Sequence, residues 1–314
     1  MQVFNWDEIE GLKAMTEKQV PINWHDDYYQ SVDRVVLTSK NLEIPGIRTF
    51  GWHDMKRAVP ALKPHYHENC FEITFVTKGS ISFFTNQREY TINGGEAFFT
   101  VPNEVHSTNG VPMSVGEIFW IQLDISQPQN FLYLTEDAAN SLIAMLQSIT
   151  HHCFCTDSNK CGNAVMELKE VILNTPSRNP FLIASFVVVF LYQLLACTDE
   201  SNTRVSLDMA QACEYIQEHI REELPLKEIA DFCHVSESHF KQKFKAQLGV
   251  SPRSYINKQK IMQICKELRK DSNLTKVANN YSFCNSSYFS TVFKKYMNQT
   301  PTEYIMAMSE TASE

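Results

Sequence analysis

Leu226-Lys-Glu-Ile-Ala230, Val235-Ser236 and Glu237-Ser-His-Phe-Lys-Gln-Lys-Phe-Lys-Ala-Gln-Leu248 make one unit, and a second copy follows it. That copy is Leu274-Thr-Lys-Val-Ala278, Phe283-Cys-Asn285 and Ser286-Ser-Tyr-Phe-Ser-Thr-Val-Phe-Lys-Lys-Tyr296. Each unit is a short apolar helix, a turn, a capping residue and an aromatic-rich helix carrying Phe-Lys. Phe240, Phe244 and Leu248 recur every four residues, which predicts one buried stripe; Phe289 and Phe293 repeat it in the second unit. Ser236 and Asn285 stand where an N-cap is needed for the exposed backbone N–H groups. Each copy is followed by Pro and an aromatic, Ser251-Pro252…Tyr255 and Thr300-Pro301…Tyr304. This is a doubled helix-turn-helix pattern, whose second helix buries one face and offers the other to the DNA major groove.

With the stripes buried, the faces left for DNA follow from helical phase. In the first unit they carry Ser238, Lys241 and Gln242, with Lys245 further along. In the second they carry Ser286, Ser287 and Thr291, with Lys294 and Lys295 behind. Gln can read adenine bidentately, Lys can take guanine or a phosphate, and short hydroxyls discriminate little. The first helix is therefore expected to carry most of the sequence reading.

The run Ser287-Tyr-Phe-Ser-Thr-Val-Phe-Lys-Lys-Tyr296 followed by Thr300-Pro-Thr-Glu-Tyr304 resembles the AraC/XylS family of bacterial transcription regulators, with the resemblance extending over residues 207–305. It implies two recognition helices in adjacent major grooves, joined by a linking helix over residues 252–270. Carried over by position, base contacts fall on Ser238, Lys241, Gln242, Ser286, Ser287 and Thr291. Three positions depart from the family pattern. Ser282 stands where Gly is usual in the second turn, Thr291 where Arg is common, and Lys260 where the linking helix has Arg. A non-Gly residue held at positive φ costs on the order of 1 kcal/mol, so the second turn is expected to be altered.

The charge distribution agrees with a DNA-binding third. The 314-residue chain carries a net charge of −8, which alone argues against nucleic acid. Counted in parts, residues 1–204 have 14 Lys/Arg against 23 Asp/Glu, whereas residues 205–305 have 14 against 11. The C-terminal third is modestly basic, and the acidic remainder discourages non-specific binding. Lys241, Lys243, Lys245, Lys258 and Lys260 cluster around the first unit and the linking helix, where phosphate contact is expected.

Residues 44–123 have a different texture. Runs such as Phe71-Glu-Ile-Thr-Phe-Val-Thr77, Ser80-Ile-Ser-Phe-Phe-Thr85 and Gly116-Glu-Ile-Phe-Trp-Ile-Gln-Leu123 are broken by Lys78-Gly79 and Asn93-Gly-Gly95. Short strands between turn signals predict an antiparallel barrel or jelly roll. His65-Tyr-His67, Glu72, Gly79, Gly95 and Pro102-Asn-Glu-Val-His106 resemble the two motifs of the cupin barrel, the usual sensor half of sugar-responsive AraC-type proteins. The resemblance implies a pocket lined by His65, His67, Glu72 and His106, with Tyr66, Phe71, Phe83 and Trp120 as aromatic walls. Aromatic faces stack on sugar rings while His and Glu hydrogen-bond hydroxyls, so a carbohydrate effector is expected.

The same His and Glu residues occupy the metal-binding positions of enzymatic cupins, which sets up the competing class: a metal-dependent dioxygenase or isomerase fused to a DNA-binding domain. The second motif lacks the Pro-x-Gly of metal cupins, and the expectation is no metal, no cofactor and no catalytic residue. His151-His152-Cys153-Phe-Cys155 with Cys161 matches no common zinc spacing. Helical spacing over 138–147 and 164–173, and the apolar run 181–195, suit core or dimer-interface helices. That run holds Ser185 and Gln193 and is shorter than the roughly 20 residues of a bilayer span. Nine cysteines scattered over both halves, with no signal peptide at the start, suit a reducing cytoplasm.

The expected architecture is α+β and multidomain. A cupin-like antiparallel β-barrel with helices, for effector binding and dimerisation, occupies 1–195. A linker occupies 196–206, and an all-α double helix-turn-helix domain occupies 207–306. The expected function is a cytoplasmic homodimeric transcription activator. Its expected partners are a double-stranded DNA operator, RNA polymerase and a small-molecule effector, with no membrane.

Overall fold

The computed structural model describes residues 20–156, 160–174, 179–198, 206–269 and 272–311. Most of the expected linker, residues 199–205, lies outside them. The N-terminal part opens with β1 (Ile22–Asn23), β2 (Tyr29–Gln30), β3 (Arg34–Thr38) and a one-turn helix α1 (Ser39–Leu42). Strands β4 (Ile47–Met55), β5 (His65–Tyr66), β6 (Cys70–Thr85), β7 (Arg88–Asn93), β8 (Glu96–Thr100), β9 (His106–Ser107) and β10 (Gly116–Asp124) follow. Then come α2 (Glu136–Gln147), β11 (Cys153–Cys155), α3 (Lys160–Asn174) and α4 (Pro180–Leu195).

The strands form a curled sheet in the order β1-β5-β9-β6-β10-β4-β3-β2, with β7 and β8 also on β6 and β11 on β8. Every pairing is antiparallel except β1 with β5. The end strands do not pair with each other, so the expected barrel is a half-barrel. Lys78-Gly79, expected as a turn between two strands, lies inside the single 16-residue strand β6. Gly79 holds φ at +87° and packs on the backbone of Val115 and Gly116, where a Cβ would come within 2.5 Å. Only glycine fits there. The strand bends at that point: its first half pairs with β8 and β10, and its second half with β7 and β9.

Alternation along β6 then divides the side chains between two faces. Phe71, Ile73 and Phe75 pack outward with Phe119 and Ile121 against Leu142, Leu168, Phe190 and Leu191 of the helices. Each fully buried side chain of this size contributes roughly 1.5–3 kcal/mol relative to exposure. Glu72 and Thr74 point the other way, into the half-barrel. Helix α4 buries Ile183, Val187, Phe190 and Leu194 while leaving Phe181 64% and Val189 47% exposed. Among the described residues no helix is long and apolar enough to cross a membrane.

The C-terminal part contains α5 (Leu207–Glu218), α6 (Leu226–Phe232), α7 (Glu237–Leu248), α8 (Pro252–Glu267), α9 (Leu274–Asn280), α10 (Ser286–Met297) and α11 (Pro301–Thr311). Both predicted stripes lie in one core: Phe240, Phe244, Phe289 and Phe293 are fully buried beside Ile256 and Ile264 of α8. Ser236 accepts a hydrogen bond from the His239 N–H, and Asn285 accepts one from the Tyr288 N–H, as the N-cap reading requires. The turn between α9 and α10 carries the expected strained residue, Ser282 at φ +52°. Its counterpart between α6 and α7, His234 at φ +56°, has the same conformation.

Lys260 corrects one expectation. It is 5% exposed, and its ammonium donates to the carbonyls of Glu222 (2.8 Å) and Tyr281 (2.7 Å). It therefore ties the loop after α5 to the end of α9 and is not presented to a phosphate. Lys243 pairs with Asp208 at 2.6 Å and Lys258 donates to Ser80 of the half-barrel, so neither is a free surface cation.

Candidate functional site

Two sites follow from this fold. The first is the outward face of α7 and α10. Ser238, Lys241, Gln242, Ser286, Ser287, Thr291 and Lys294 are all solvent-exposed on the faces opposite the buried phenylalanines. They differ in freedom. Among the described residues the Gln242 amide makes no hydrogen bond and is open to a base edge, whereas Lys241 is held by Glu237 one turn back. The Thr291 hydroxyl donates to the Ser287 carbonyl at 3.0 Å, which leaves its lone pairs and methyl for contact. His239 and Tyr288 share these N-terminal turns and are also exposed, a pair that helical phase could have added. Lys245 and Lys295 sit in the last turns of their helices. At 1.5 Å per residue Lys245 is about 10 Å along the axis from Ser238. Both lysines line a cleft facing the half-barrel.

The second site is a buried polar cluster inside the half-barrel. Registration brings it together: His65 on β5 pairs with His106 on β9, and Glu72 on β6 pairs with Gln122 on β10. The His65 and His106 rings are 4.3 Å apart, and His67 stands 5.2 Å from His65. All three histidines and Glu72 are under 9% exposed. Each Nδ1 lies on a backbone carbonyl: Lys63 at 2.7 Å for His65, Trp24 at 3.1 Å for His67 and Glu104 at 3.1 Å for His106. Those carbonyls assign a proton to each Nδ1 and leave the Nε2 atoms for the interior. Glu72 accepts from His67 Nε2 at 2.7 Å and from the Gln122 amide at 3.0 Å. Among the described residues His106 Nε2 makes no hydrogen bond and stands 3.6 Å from Glu72 Oε1.

Charge is distributed unevenly over the cluster. Burial would raise Glu72, but the His67 charge, the His67 hydrogen bond and the nearby His106 imidazole outweigh it and hold the carboxyl well below its usual range. Burial works against protonation of His67 as well, yet the adjacent Glu72 carboxylate wins and raises it. His65 is neutral: burial, with His106 nearby, lowers it to about 4. The site thus combines an ion pair, a neutral imidazole and an unsatisfied acceptor, a set suited to hydroxyls or to a divalent ion. One nitrogen from each of His65, His67 and His106 lies within 4.8 Å of the other two.

Residues 20–30 close this cluster, which the sequence did not foretell because they lie over thirty positions from the first histidine. The Trp24 ring stands 5.7 Å from His65, and Asp26 accepts from the Trp24 indole (3.2 Å) and from Gln122 (3.0 Å). Burial and the Glu72 charge raise the Asp26 carboxyl. Trp120 packs its ring on Gly51 and reaches the cluster through a hydrogen bond to Asp26. Phe83 stacks on Phe98 at 4.5 Å, and Phe98 lies 6.5 Å from His106. Phe71 is not a wall of the site: it faces the opposite side of β6 and packs under the helices. Tyr66 alternates away from His65 and His67 in the same way. The described residues of the His151–Cys161 segment lie in three places. His152 lies 3.3 Å from Glu104, Cys153 pairs with Phe98 in the sheet, and Cys161 is buried in the helical layer.

Comparison with known proteins covers both sites. A sequence model of an AraC-like ligand binding domain matches residues 52–153, and one of a helix-turn-helix domain matches residues 229–307. The HTH-type transcriptional activator RhaS of Enterobacter sp. (strain 638) is 24% identical over 263 residues, 79% of this chain and 89% of the relative. An HTH-type transcriptional regulator of Staphylococcus aureus (strain COL) is 22% identical over 247 residues, 75% of this chain. The chain spans only 31% of that longer protein. The solved structure of ToxT from Vibrio cholerae covers 82% of this chain and 97% of its own at 18% identity, with a TM-score of 0.32.

Proposed function

Because the chain belongs to the AraC/XylS family of transcription regulators, with an AraC-like ligand binding domain ahead of its helix-turn-helix domain, we propose that it is a cytoplasmic activator. On this reading α7 and α10 read one operator from the two ends of α8, and the polar cluster takes a small hydroxylated effector, a sugar. The observation that carries the DNA half is the pair of exposed helix faces fixed in a single core, which lets one chain span two successive grooves. Ser238, Lys241, Gln242, Ser286, Ser287 and Thr291 act at bases or the adjoining backbone. Lys294 acts at phosphate, and Lys245 and Lys295 act where the DNA approaches the last turns.

The effector half rests on His65, His67, Glu72, His106 and Trp120. A sugar hydroxyl can donate to the unsatisfied His106 Nε2 and accept from Gln122, and it must displace the strap at Trp24 to enter. Effector binding shifts the regulator only insofar as it favours one arrangement over another. The apolar exposed face of α4, Phe181, Val189 and Tyr192, supports homodimer formation. Contact with RNA polymerase accounts for activation. The test is operator affinity of the full chain across a panel of sugars. One sugar should change it in the parent, and Glu72→Gln should lose that response while still binding operator. A Glu72→Gln protein that responds normally would remove the cluster from the effector site.

The convergence of three Nε2 atoms, each histidine already anchored through Nδ1, favours a second reading of the same cluster. His65, His67 and His106 with Glu72 would hold a divalent transition metal, which supplies Lewis acidity when bound. Metal analysis of protein purified without chelator decides it: one equivalent lost in His65→Ala supports a metal site, and none leaves the sugar reading.

A further inference from the structure

The cleft between the half-barrel and the helical domain has a chemistry that the polar cluster does not use, and it takes in Lys245 and Lys295 from the last turns of the recognition helices. It encloses about 450 Å³, within the range of small-molecule pockets. Five lysines line it: Lys56 and Lys78 from the half-barrel, and Lys245, Lys258 and Lys295 from the ends of α7, α8 and α10. Asp54 is its single lining carboxylate.

The carboxylates nearby are already committed. Asp54 pairs with Lys56, while Glu117 is shared by Lys78 and Lys169. Among the described residues Lys245 and Lys295 form no ion pair, while Lys258 feels the charge of Glu89. A lysine in the last turn of a helix offsets the negative end of the helix dipole. That accounts for Lys245 and Lys295, as Asp54 and Glu117 do for the half-barrel lysines, and leaves Lys258 in the second turn of α8. Burial lowers Lys258 to about 8, against the opposing charge of Glu89. Hydrogen-bond donors converge on the same space. Lys258 spends two donors on the Ser80 hydroxyl (2.8 Å) and carbonyl (3.2 Å) and keeps a third. The N-terminus of the 16-residue helix α8 opens here at Ser251, with Ser254 beside it.

We propose that this cleft binds a small multiply charged anion, a phosphorylated or polycarboxylate metabolite, which bridges Lys56 and Lys78 of the half-barrel to Lys245, Lys258 and Lys295 of the helical domain. Such an anion touches both domains only while they are docked, so its binding energy favours the docked arrangement. The proposal does not depend on the identity of the ligand in the polar cluster, whose residues are not among those lining the cleft.

Titration calorimetry on the full chain tests this with four probes in amine buffer: inorganic phosphate, fructose 6-phosphate, citrate and fructose. At least one anion should bind with a stoichiometry of one, and any fructose binding, which would belong to the polar cluster, should be unchanged in Lys56→Gln. Preference for fructose 6-phosphate assigns the phosphate source, and preference for citrate the carboxylate source. Lys258→Gln and Lys56→Gln should each weaken the binding anion about tenfold, the loss of one charge-assisted hydrogen bond. Lys56 is largely exposed, so its variant keeps the test valid should Lys258→Gln fold poorly. The salt dependence of operator affinity should be the same for Lys56→Gln and the parent. Absence of binding by all three anions, unchanged affinity in Lys56→Gln, or a reduced salt slope on DNA in that variant each overturns the proposal. The last result would assign these lysines to DNA phosphates.

Discussion

At the scale of single residues, the two recognition helices divide reading from holding. Gln242 has an open amide on an exposed turn, so Gln242→Ala should relax discrimination at one base pair by roughly 1–3 kcal/mol. Lys294→Ala should weaken all sequences alike, as loss of a phosphate contact does. Affinities for a site and its single-base variants separate the two; a uniform loss in Gln242→Ala would remove it from base reading. Glu117 gives a different residue-scale prediction. It is buried, and although burial opposes ionisation, hydrogen bonds from Lys78, Trp52 and Lys169 bring its carboxyl down to about 2. A carboxyl depressed on folding stabilises fully above its unfolded value of 4.5, and that contribution is lost as pH falls toward 2. Melting temperature should therefore fall across this window more steeply in the parent than in Glu117→Gln. Parallel profiles would show that Glu117 is not a source of acid sensitivity.

At the scale of elements, what the sequence made legible was local. The Phe240–Phe244–Leu248 and Phe289–Phe293 stripes and the caps Ser236 and Asn285 depend on neighbours three or four positions away, and they were read correctly. Ser282 was legible as a strained turn for the same reason. Its equivalence with His234 was not, since no Gly was expected there. Lys78-Gly79 reads as a turn between two strands, yet a lysine-glycine pair gives the same signal where one strand bends and continues. The burial of Lys260 is not legible in the sequence because it is set by the loop after α5 and the end of α9, which are distant from it in the chain. It now supports an element-scale prediction. Lys260→Met leaves the Glu222 and Tyr281 carbonyls without a donor, which costs about 1–3 kcal/mol per buried group left unpaired. Chemical denaturation should show that loss, and an undiminished stability would mean that water replaces the ammonium.

At the scale of the molecule, the polar cluster and the lysine cleft share one property: each is assembled from segments far apart in the chain. His65, His67, Glu72 and His106 were visible as a motif, but the Trp24 and Asp26 strap and the Gln122 bridge were not. The cleft could not be anticipated at all, because it exists only where two domains dock. That docking has a narrow point at Gly94 against Gly249, where a Cβ on Gly94 would come 2.7 Å from the Gly249 Cα. Gly94 has no positive φ, so alanine there strains the interface more than its own turn. Gly94→Ala should loosen the docked form, raising the radius of gyration in solution scattering; an unchanged radius would show that the contact does not hold the domains. The measurement closest to the central claim is selection of binding sites from a random DNA pool by the full chain. One asymmetric site should be enriched, with two contacted blocks about 10–10.5 base pairs apart, one per recognition helix. Failure to enrich any sequence, or enrichment of a single block indifferent to changes in α10, would contradict that claim.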